Sequence, residues 1–516
     1  MIKKLKKIAR RFLDITKFKK HRALFEIFLD TVPRKIQVKA NGKRVGLLLD
    51  VSHYTAVPWY VITLAFLYKS RGYEPIIIWD DIPYTDKVRN NDQNRVIRKT
   101  LSSLSDDFEI IKLSDFEKHP LDQKDSKEIE RLCHVYLVSR FRSSVPHEGW
   151  KPYRDKLKKT LSENLSRVKS LMAQNSFDHL VLQGGLWGNT SLFFWEAHRH
   201  GIRAATHDSG FGIIYTAVDG IAAHQPDVAK IFDLDVFGDH ESLERKKILE
   251  LAKQELQHRM QATEKNGGTL DDQKFQKQVY NKSNTFSCDV LIPLNVDYDA
   301  AALGKQTFFD NPFQWLMETL DFLIKNTSAT IGVRQHPVER NPFYKAKHDL
   351  KLEIERAFPG NTRIRFISAD EDVNTYNLIE TSRLTLPLSS TTGIEAATFG
   401  KRVIIASDAY YSDFSFVEKA TSKTDYFQKI SQYLKNPQPQ SQKQIEEALL
   451  CYFSAQVANR IFSHFTPQPP DYAQWVKKDF SNLFADTSVQ SMIDTLSDGV
   501  PAVVWRMKEI LAKELK

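Results

Sequence analysis

The stretch from Arg44 to Asp81, RVGLLLDVSHYTAVPWYVITLAFLYKSRGYEPIIIWDD, constrains the fold more than any other part of the chain. Val45–Leu49 is a nearly unbroken apolar run, as in a parallel strand covered on both faces. A helical stretch follows from about Val57, Gly72 closes it, and a second apolar run starts at Pro75 and ends at Trp79. This is a βαβ unit.

The same grammar returns at FDHLVLQGGLWGNTSLFFWEAHRHGIRAATHDSGFG. His179–Leu182 reads as a strand, Gly184 and Gly185 as a tight turn, Thr190–His200 as a helix and Ile202–Thr206 as another strand. Residues 85–175 between the two units are more charged and mostly helical in pattern. A further α/β series begins at Cys288, with strands at CDVLIPL, ATIGVRQHP, RIRFIS and KRVIIAS and helices at Pro312–Asn326 and VNTYNLIETS. After Thr421 the pattern is helical to the end.

A chain of 516 residues exceeds what one hydrophobic core serves, so two domains are expected. The expected division is a basic amphipathic helix at 1–35, a Rossmann-like domain at 40–240, a charged linker at 241–284, a second Rossmann-like domain at 285–430, and a helical segment at 431–516.

The formal charge of +9 suggests nucleic-acid binding until it is located: residues 1–22 hold ten Lys/Arg against one Asp, which accounts for all of it. No nucleic-acid partner is therefore expected. Within that segment Leu5, Ile8, Phe12 and Ile15 recur at helical spacing among lysines and arginines, the pattern of a helix lying on an anionic membrane surface. Docking on the protein's own body, or a mobile basic tail, would give similar letters. Charges interrupt every apolar stretch, so neither a cleavable signal peptide nor a transmembrane helix is expected. Three scattered cysteines, Cys133, Cys288 and Cys451, lack metal-ligand spacing and suit a reducing compartment.

In open α/β sheets, ligands bind beyond the carboxyl ends of the strands, so strand-to-helix handovers are the places to search. LPLSSTTGIEA puts Ser389, Ser390, Thr391, Thr392 and Gly393 at one of them. Successive N–H groups and hydroxyls there make a nest for a phosphate or carboxylate, with Gly393 allowing close backbone approach and Glu395 behind it for ribose hydroxyls. RQHPVER ends a strand with Arg334, His336 and Pro337, and proline keeps the preceding histidine extended at the sheet edge. THDSGFG ends a strand of the first half with His207, expected to contact the acceptor, and Asp208, the carboxylate being a candidate general base. Asn295 and Asp299 follow the first strand of the second half and are expected to help hold a donor. Asp50, His53 and Tyr54 occupy the equivalent loop in the first half, where Gly184, Gly185 and Trp187 add to an acceptor wall. DYD at Asp297–Asp299 is one of three Asp-x-Asp triplets, about the number chance gives, and no metal site is expected.

RQHP followed some fifty residues later by LSSTTGIEAATFGKRVIIASDAYY resembles the bacterial capsular polysaccharide glycosyltransferases, the Kdo-transferase-like capsule synthesis group. The resemblance covers about residues 285–415 well and the first half loosely. It implies a GT-B architecture: two Rossmann-like domains facing a central cleft, nucleotide-sugar donor on the C-terminal one, acceptor on the N-terminal one, no obligatory metal and no cofactor. It implies that His336 binds the cytidylate and assists departure of its phosphate, that Ser389, Ser390 and Thr391 bind that phosphate, and that Asp208 is the base. The chain departs from the pattern in reading His-Asp-Ser-Gly-Phe where relatives have two acidic residues and then Gly, and Arg-Gln-His-Pro for Lys-Pro-His-Pro. The expectation is a cytoplasmic transferase at the inner face of the cell membrane, moving a CMP-activated acidic sugar such as Kdo to a lipid-linked glycan. A teichoic-acid-type nucleotide-alditol phosphotransferase and a non-catalytic assembly scaffold are the alternatives.

Overall fold

The computed structural model describes residues 2–34, 38–51, 54–84, 87–145, 148–210, 212–233, 236–239, 242–263, 270–280, 282, 286–305 and 307–515. The chain forms two compact units. The first comprises Met1–His134, Lys151–Asp227 and Asn459–Arg506; the second comprises Val135–Trp150, Val228–Ala458 and Met507–Lys516.

In the first unit the strands are β1 (Arg44–Leu49), β2 (Glu74–Trp79), β3 (Glu109–Lys112), β4 (His179–Gln183), β5 (Arg203–Gly210) and β6 (Ile213–Ala217). The second unit contributes β7 (Val290–Pro293), β8 (Ile331–Arg334), β9 (Ile364–Ile367), β10 (Leu384–Thr385), β11 (Arg402–Ile405) and β12 (Val417–Lys419), and β13 (Ile461–Phe462) returns to the first. The first sheet runs β13-β6-β5-β4-β1-β2-β3, parallel from β3 to β5 and antiparallel at β6 and β13. The second runs β12-β11-β10-β7-β8-β9 and is parallel throughout. Each core is the 3-2-1-4-5 order of a doubly wound Rossmann fold. The strand order reverses between β1 and β4 in one sheet and between β7 and β10 in the other, and ligands bind at such switch points.

The helix Val57–Lys69 is buried at every residue from Val57 to Tyr68. A helix apolar on all sides needs cover beyond the sheet it crosses. Two distant segments supply it. From the N-terminal helix Ile2–Leu29, Phe18 and Phe25 pack on Trp59 at ring distances of 5.5 and 5.4 Å, and Phe28 meets Trp475 edge-on. From the C-terminal segment, Tyr472 donates its hydroxyl to the His21 carbonyl at 2.7 Å, and Met492, Ile493 and Leu496 join the same core.

The basic helix expected at 1–35 is thus anchored through a different face. Its buried residues Phe18, His21, Phe25 and Phe28 recur in steps of three and four, with Leu29 beside them, whereas of the described residues on the expected face Phe12 is 70% exposed and Ile15 packs on the core. The side chains of Leu5 and Ile8 lie outside the described residues. Residues 431–516 do not form a separate helical segment, because Asn459–Arg506 belongs to the first unit. Residues 243–261 form a helix that buries Ile248, Ala252 and Leu256 within the second unit, so the expected linker is part of a domain. Among the described residues no helix is long and apolar enough to cross a membrane.

Candidate functional site

In the second unit the carboxyl ends of β7, β8 and β10 surround a cavity that encloses about 750 Å³ of space, open solvent at its mouth included. Arg334, His336, Pro337, Ser390, Thr392 and Glu395, six residues singled out from the sequence, line it together.

His336 owes its placement to its neighbours. Pro337 cannot continue a strand, and the chain turns into the short 3₁₀ helix Pro337–Arg340 with His336 as its extended N-cap residue (φ −62°, ψ 126°). Nδ1 accepts from the Val338 N–H at 3.2 Å. In the neutral imidazole the proton is therefore on Nε2, which makes that nitrogen a donor. Arg334 is almost fully buried and donates to the carbonyls of Ser368 and, at 3.3 Å, Val373. Burial lowers its guanidinium to about 10, which still leaves it charged at neutral pH.

The four hydroxyls divide into two pairs. Ser390 and Thr392 line the cavity, Ser390 Oγ donating to Thr392 Oγ1 at 3.2 Å and accepting from the Thr392 N–H at 3.3 Å. Ser389 lies behind them, its N–H donating to Asn295 Oδ1 at 3.2 Å and its Oγ buried. Thr391 is the N-cap of the helix Thr392–Thr398 but makes no side-chain cap bond. Gly393 has a function other than the expected approach to a ligand: a Cβ there would stand 2.8 Å from both Pro387 Cγ and Tyr411 Oη. Tyr411 in turn donates to the Ser390 carbonyl at 2.7 Å, so the glycine lets a buried tyrosine hold the hydroxyl loop. Glu395 is buried and accepts from the Tyr376 hydroxyl at 3.3 Å.

Asn295 supports Ser389 from behind rather than lining the cavity. Asp299 does not reach it either: it is exposed and accepts from the Ala301 N–H in a turn. Asp297 is bound to the backbone and hydroxyl of Ser144 at 3.0 and 2.9 Å. Sequence reasoning missed Arg259, Gln276 and Tyr376 in the lining. The first two come from residues 241–284, the expected linker, where high charge conceals any pattern.

In the first unit, Asp50 follows β1 and Gly184 and Gly185 follow the adjacent β4, so all three stand at the switch point, both glycines in the left-handed region (φ 75° and 85°). Burial pushes the Asp50 carboxyl up to about 6. Burial, with Asp50 nearby, raises Asp80 well above the usual carboxylate range, and Asn189 donates to both Asp80 oxygens at 3.0 and 2.9 Å. Asp80 carried no sequence signal beyond its strand end. Trp187 precedes the helix Gly188–Arg199 and is half-buried.

Two expected acceptor contacts belong to the interior instead. Tyr54 is buried beneath Phe18, with its hydroxyl on Asp92 at 3.2 Å and its N–H on Gln93 at 2.6 Å. His207 is buried against Tyr60 at a ring distance of 5.2 Å, and desolvation lowers it to about 4. His53 lies outside the described residues. Asp208 pairs opposite Tyr215 near the end of β5, partly exposed, with Oδ1 accepting from the Ser209 N–H at 2.8 Å.

No protein family matches the chain, and no curated protein does. Among solved structures it is similar to the β-Kdo 2,7 transferase KpsC of Thermosulfurimonas dismutans, at 14% identity over 56% of this chain and 80% of that one, with a TM-score of 0.31. It is also similar to a glycosyltransferase from Rickettsia africae, at 13% identity over 92% and 99% of the two chains and a TM-score of 0.27. A UDP co-structure of MnaA from S. aureus has 11% identity over 80% and 92%, with a TM-score of 0.25. All three resemblances are distant.

Proposed function

We propose that the chain is a glycosyltransferase of capsule or surface polysaccharide synthesis that moves a CMP-activated acidic sugar, such as Kdo or a sialic-acid-like sugar, to a lipid-linked glycan. The observation that carries this reading is one cavity holding an Nε2–H imidazole donor, a hydroxyl pair and a buried guanidinium at a Rossmann switch point. Hydroxyls and N–H groups suit a phosphate, and Glu395, steadied by Tyr376, suits ribose hydroxyls. When the acceptor oxygen attacks the anomeric carbon, the bond to the phosphate breaks and negative charge grows on the leaving oxygen. In this reading His336, Ser390, Thr392 and Arg334 stabilise that charge, which is the largest single contribution in reactions of this kind. The acceptor's proton goes to a base on the first unit, at the edge where Asp208 stands.

The N-terminal helix fits a lipid-borne acceptor. Opposite its docked face it exposes Phe12 (70%), Leu13 (68%) and Ile27 (66%), with Lys19 and Lys20 exposed among them. Apolar side chains interleaved with cations suit an anionic bilayer surface, each lysine contributing about 1 kcal/mol. The experiment is product analysis after incubation with a CMP-activated acidic sugar and a lipid-linked glycan. A new glycoside with CMP release is expected, with His336→Ala lowering kcat by ~100-fold or more. A phosphodiester in the product, or an H336A variant within a few-fold of wild type, refutes the reading.

A further inference from the structure

We infer that His464, oriented by Asp471, is the base that takes the acceptor's hydroxyl proton. The inference rests on the transferase reading and assigns its missing partner within the first unit.

β13 pairs with β6, and just beyond it the Ser463 N–H donates to the Gly212 carbonyl at 2.9 Å. This brings residues 463–471 against the hairpin that joins β5 to β6, at the carboxyl end of β5. Gln468 donates to the Ser209 carbonyl at 3.3 Å, one residue from Asp208. His464 lies against Gly212, where a Cβ would stand 3.2 Å from its Cε1 and where φ is 76°. Glycine satisfies both the close approach and the left-handed backbone.

His464 Nδ1 is 2.8 Å from Asp471 Oδ1, and the other carboxylate oxygen accepts from the Gly212 N–H at 3.0 Å and the Thr466 hydroxyl at 2.8 Å. The Asp471 side chain is 3% exposed, whereas that of His464 is 56% exposed. A buried carboxylate that only accepts fixes the imidazole tautomer: the proton sits on Nδ1 and the lone pair on Nε2. His336 has the opposite tautomer, with its proton on Nε2. The His464 ring is thus prepared to accept a proton at Nε2. A base held by a second group in this way is the recurrent arrangement for activating a hydroxyl.

In the step, the acceptor O–H proton passes to His464 Nε2 while the acceptor oxygen bonds to the anomeric carbon. The anomeric carbon–oxygen bond breaks, its electron pair leaves with the phosphate, and the imidazolium, paired with Asp471, later returns its proton to water. Asp208 lies on the same hairpin and is the competing base.

The test compares full-length His464→Ala, Asp471→Asn and Asp208→Asn with wild type, measuring glycoside formation and CMP binding on each. His464→Ala should lower kcat by ~100-fold or more without weakening CMP binding, and added imidazole should restore part of the rate. Asp471→Asn, which favours the other tautomer, should lower kcat with the donor KM unchanged. An H464A variant within about three-fold of wild type, or one that imidazole does not rescue, overturns the inference, as does imidazole-independent loss confined to D208N. Wild-type protein that neither binds CMP nor transfers sugar overturns the transferase reading and this inference with it.

Discussion

Gly393→Ala tests whether the hydroxyl loop is held by Tyr411. The added methyl would stand 2.8 Å from Pro387 Cγ and Tyr411 Oη and 3.2 Å from Tyr411 Cζ. Ordinary contacts between such atoms are about 3.5–4.0 Å, so the proline ring and the tyrosine must both retreat by roughly 0.7 Å. Neither can swing aside, because Tyr411 is fully buried and Pro387 is fixed by its ring. Overpacking of this kind costs about 1–3 kcal/mol, and loss of the 2.7 Å bond to the Ser390 carbonyl adds about 1 kcal/mol. Tyr411→Phe removes only the hydroxyl and should cost about 1–1.5 kcal/mol. The double variant loses the hydroxyl that the methyl strikes, so it should be less destabilised than the sum by about 1 kcal/mol. Hydrogen exchange across residues 384–411 reads the stability, and calorimetric titration with CMP reads the cavity, where G393A should lower affinity by ~10-fold or more. A G393A protein with wild-type exchange and affinity, or a double variant additive within about 0.3 kcal/mol, refutes the reasoning.

Acid should loosen the first unit before the second. Burial holds His21 and His207 neutral down to about 4 and His179 to about 3, against an ordinary 6.5. The unfolded chain binds more protons in that window, so the stability these groups confer is complete above pH 6.5 and is lost as pH falls through it. For His207 the loss is on the order of 3 kcal/mol. Asp50 and Asp80, raised by burial, take up protons in the folded state with the opposite sign and offset part of this loss beside β1 and β2. Hydrogen exchange at pH 7 and pH 4.5 should therefore show the larger loss of protection in peptides of β4 and β5, which carry His179 and His207, and equal loss in the second unit contradicts this. The two faces of the N-terminal helix should also separate. Phe12→Ala with Leu13→Ala should reduce co-sedimentation with anionic vesicles and leave thermal stability unchanged, whereas Phe18→Ala should destabilise the first unit by about 3–5 kcal/mol.

Strands that are long, apolar and covered on both faces, such as β1 and β2, were plain in the sequence, and so was the alternation that places helices between them. β13 was not, because two residues carry no period, whereas β10, equally short, was signalled by Leu384, Leu386 and Leu388 ahead of the hydroxyls. The return of Asn459–Arg506 to the first unit left no local mark either. It answers a need created some four hundred residues earlier by a helix that is apolar all round. In the N-terminal helix the core-facing register 18-21-25-28 is hidden by its one histidine and by the surrounding lysines, which leave the row Leu5, Ile8, Phe12 and Ile15 as the plainer apolar pattern. The cavity was legible at His336, Ser390, Thr392 and Glu395 because proline and a run of hydroxyls at strand ends have few structural uses. Asp299, Tyr54 and His207 had equally suggestive letters, but tertiary packing assigned them to a turn and the core. His464 and Asp471 belong to a segment that had no strand-end pattern, and only the pairing of β13 with β6 brings them to the sheet edge.

The central claim is that the second unit's cavity binds the nucleotide of a CMP-activated donor. Thermal unfolding with CMP, CDP, UDP and GDP, on wild type and on Ser390→Ala/Thr392→Val, tests it most directly. CMP at 100 times its dissociation constant should stabilise the wild type by roughly 2.7 kcal/mol, with smaller shifts from the others and little from any in the double variant. No shift with CMP, or an equal one when both hydroxyls are gone, contradicts the account.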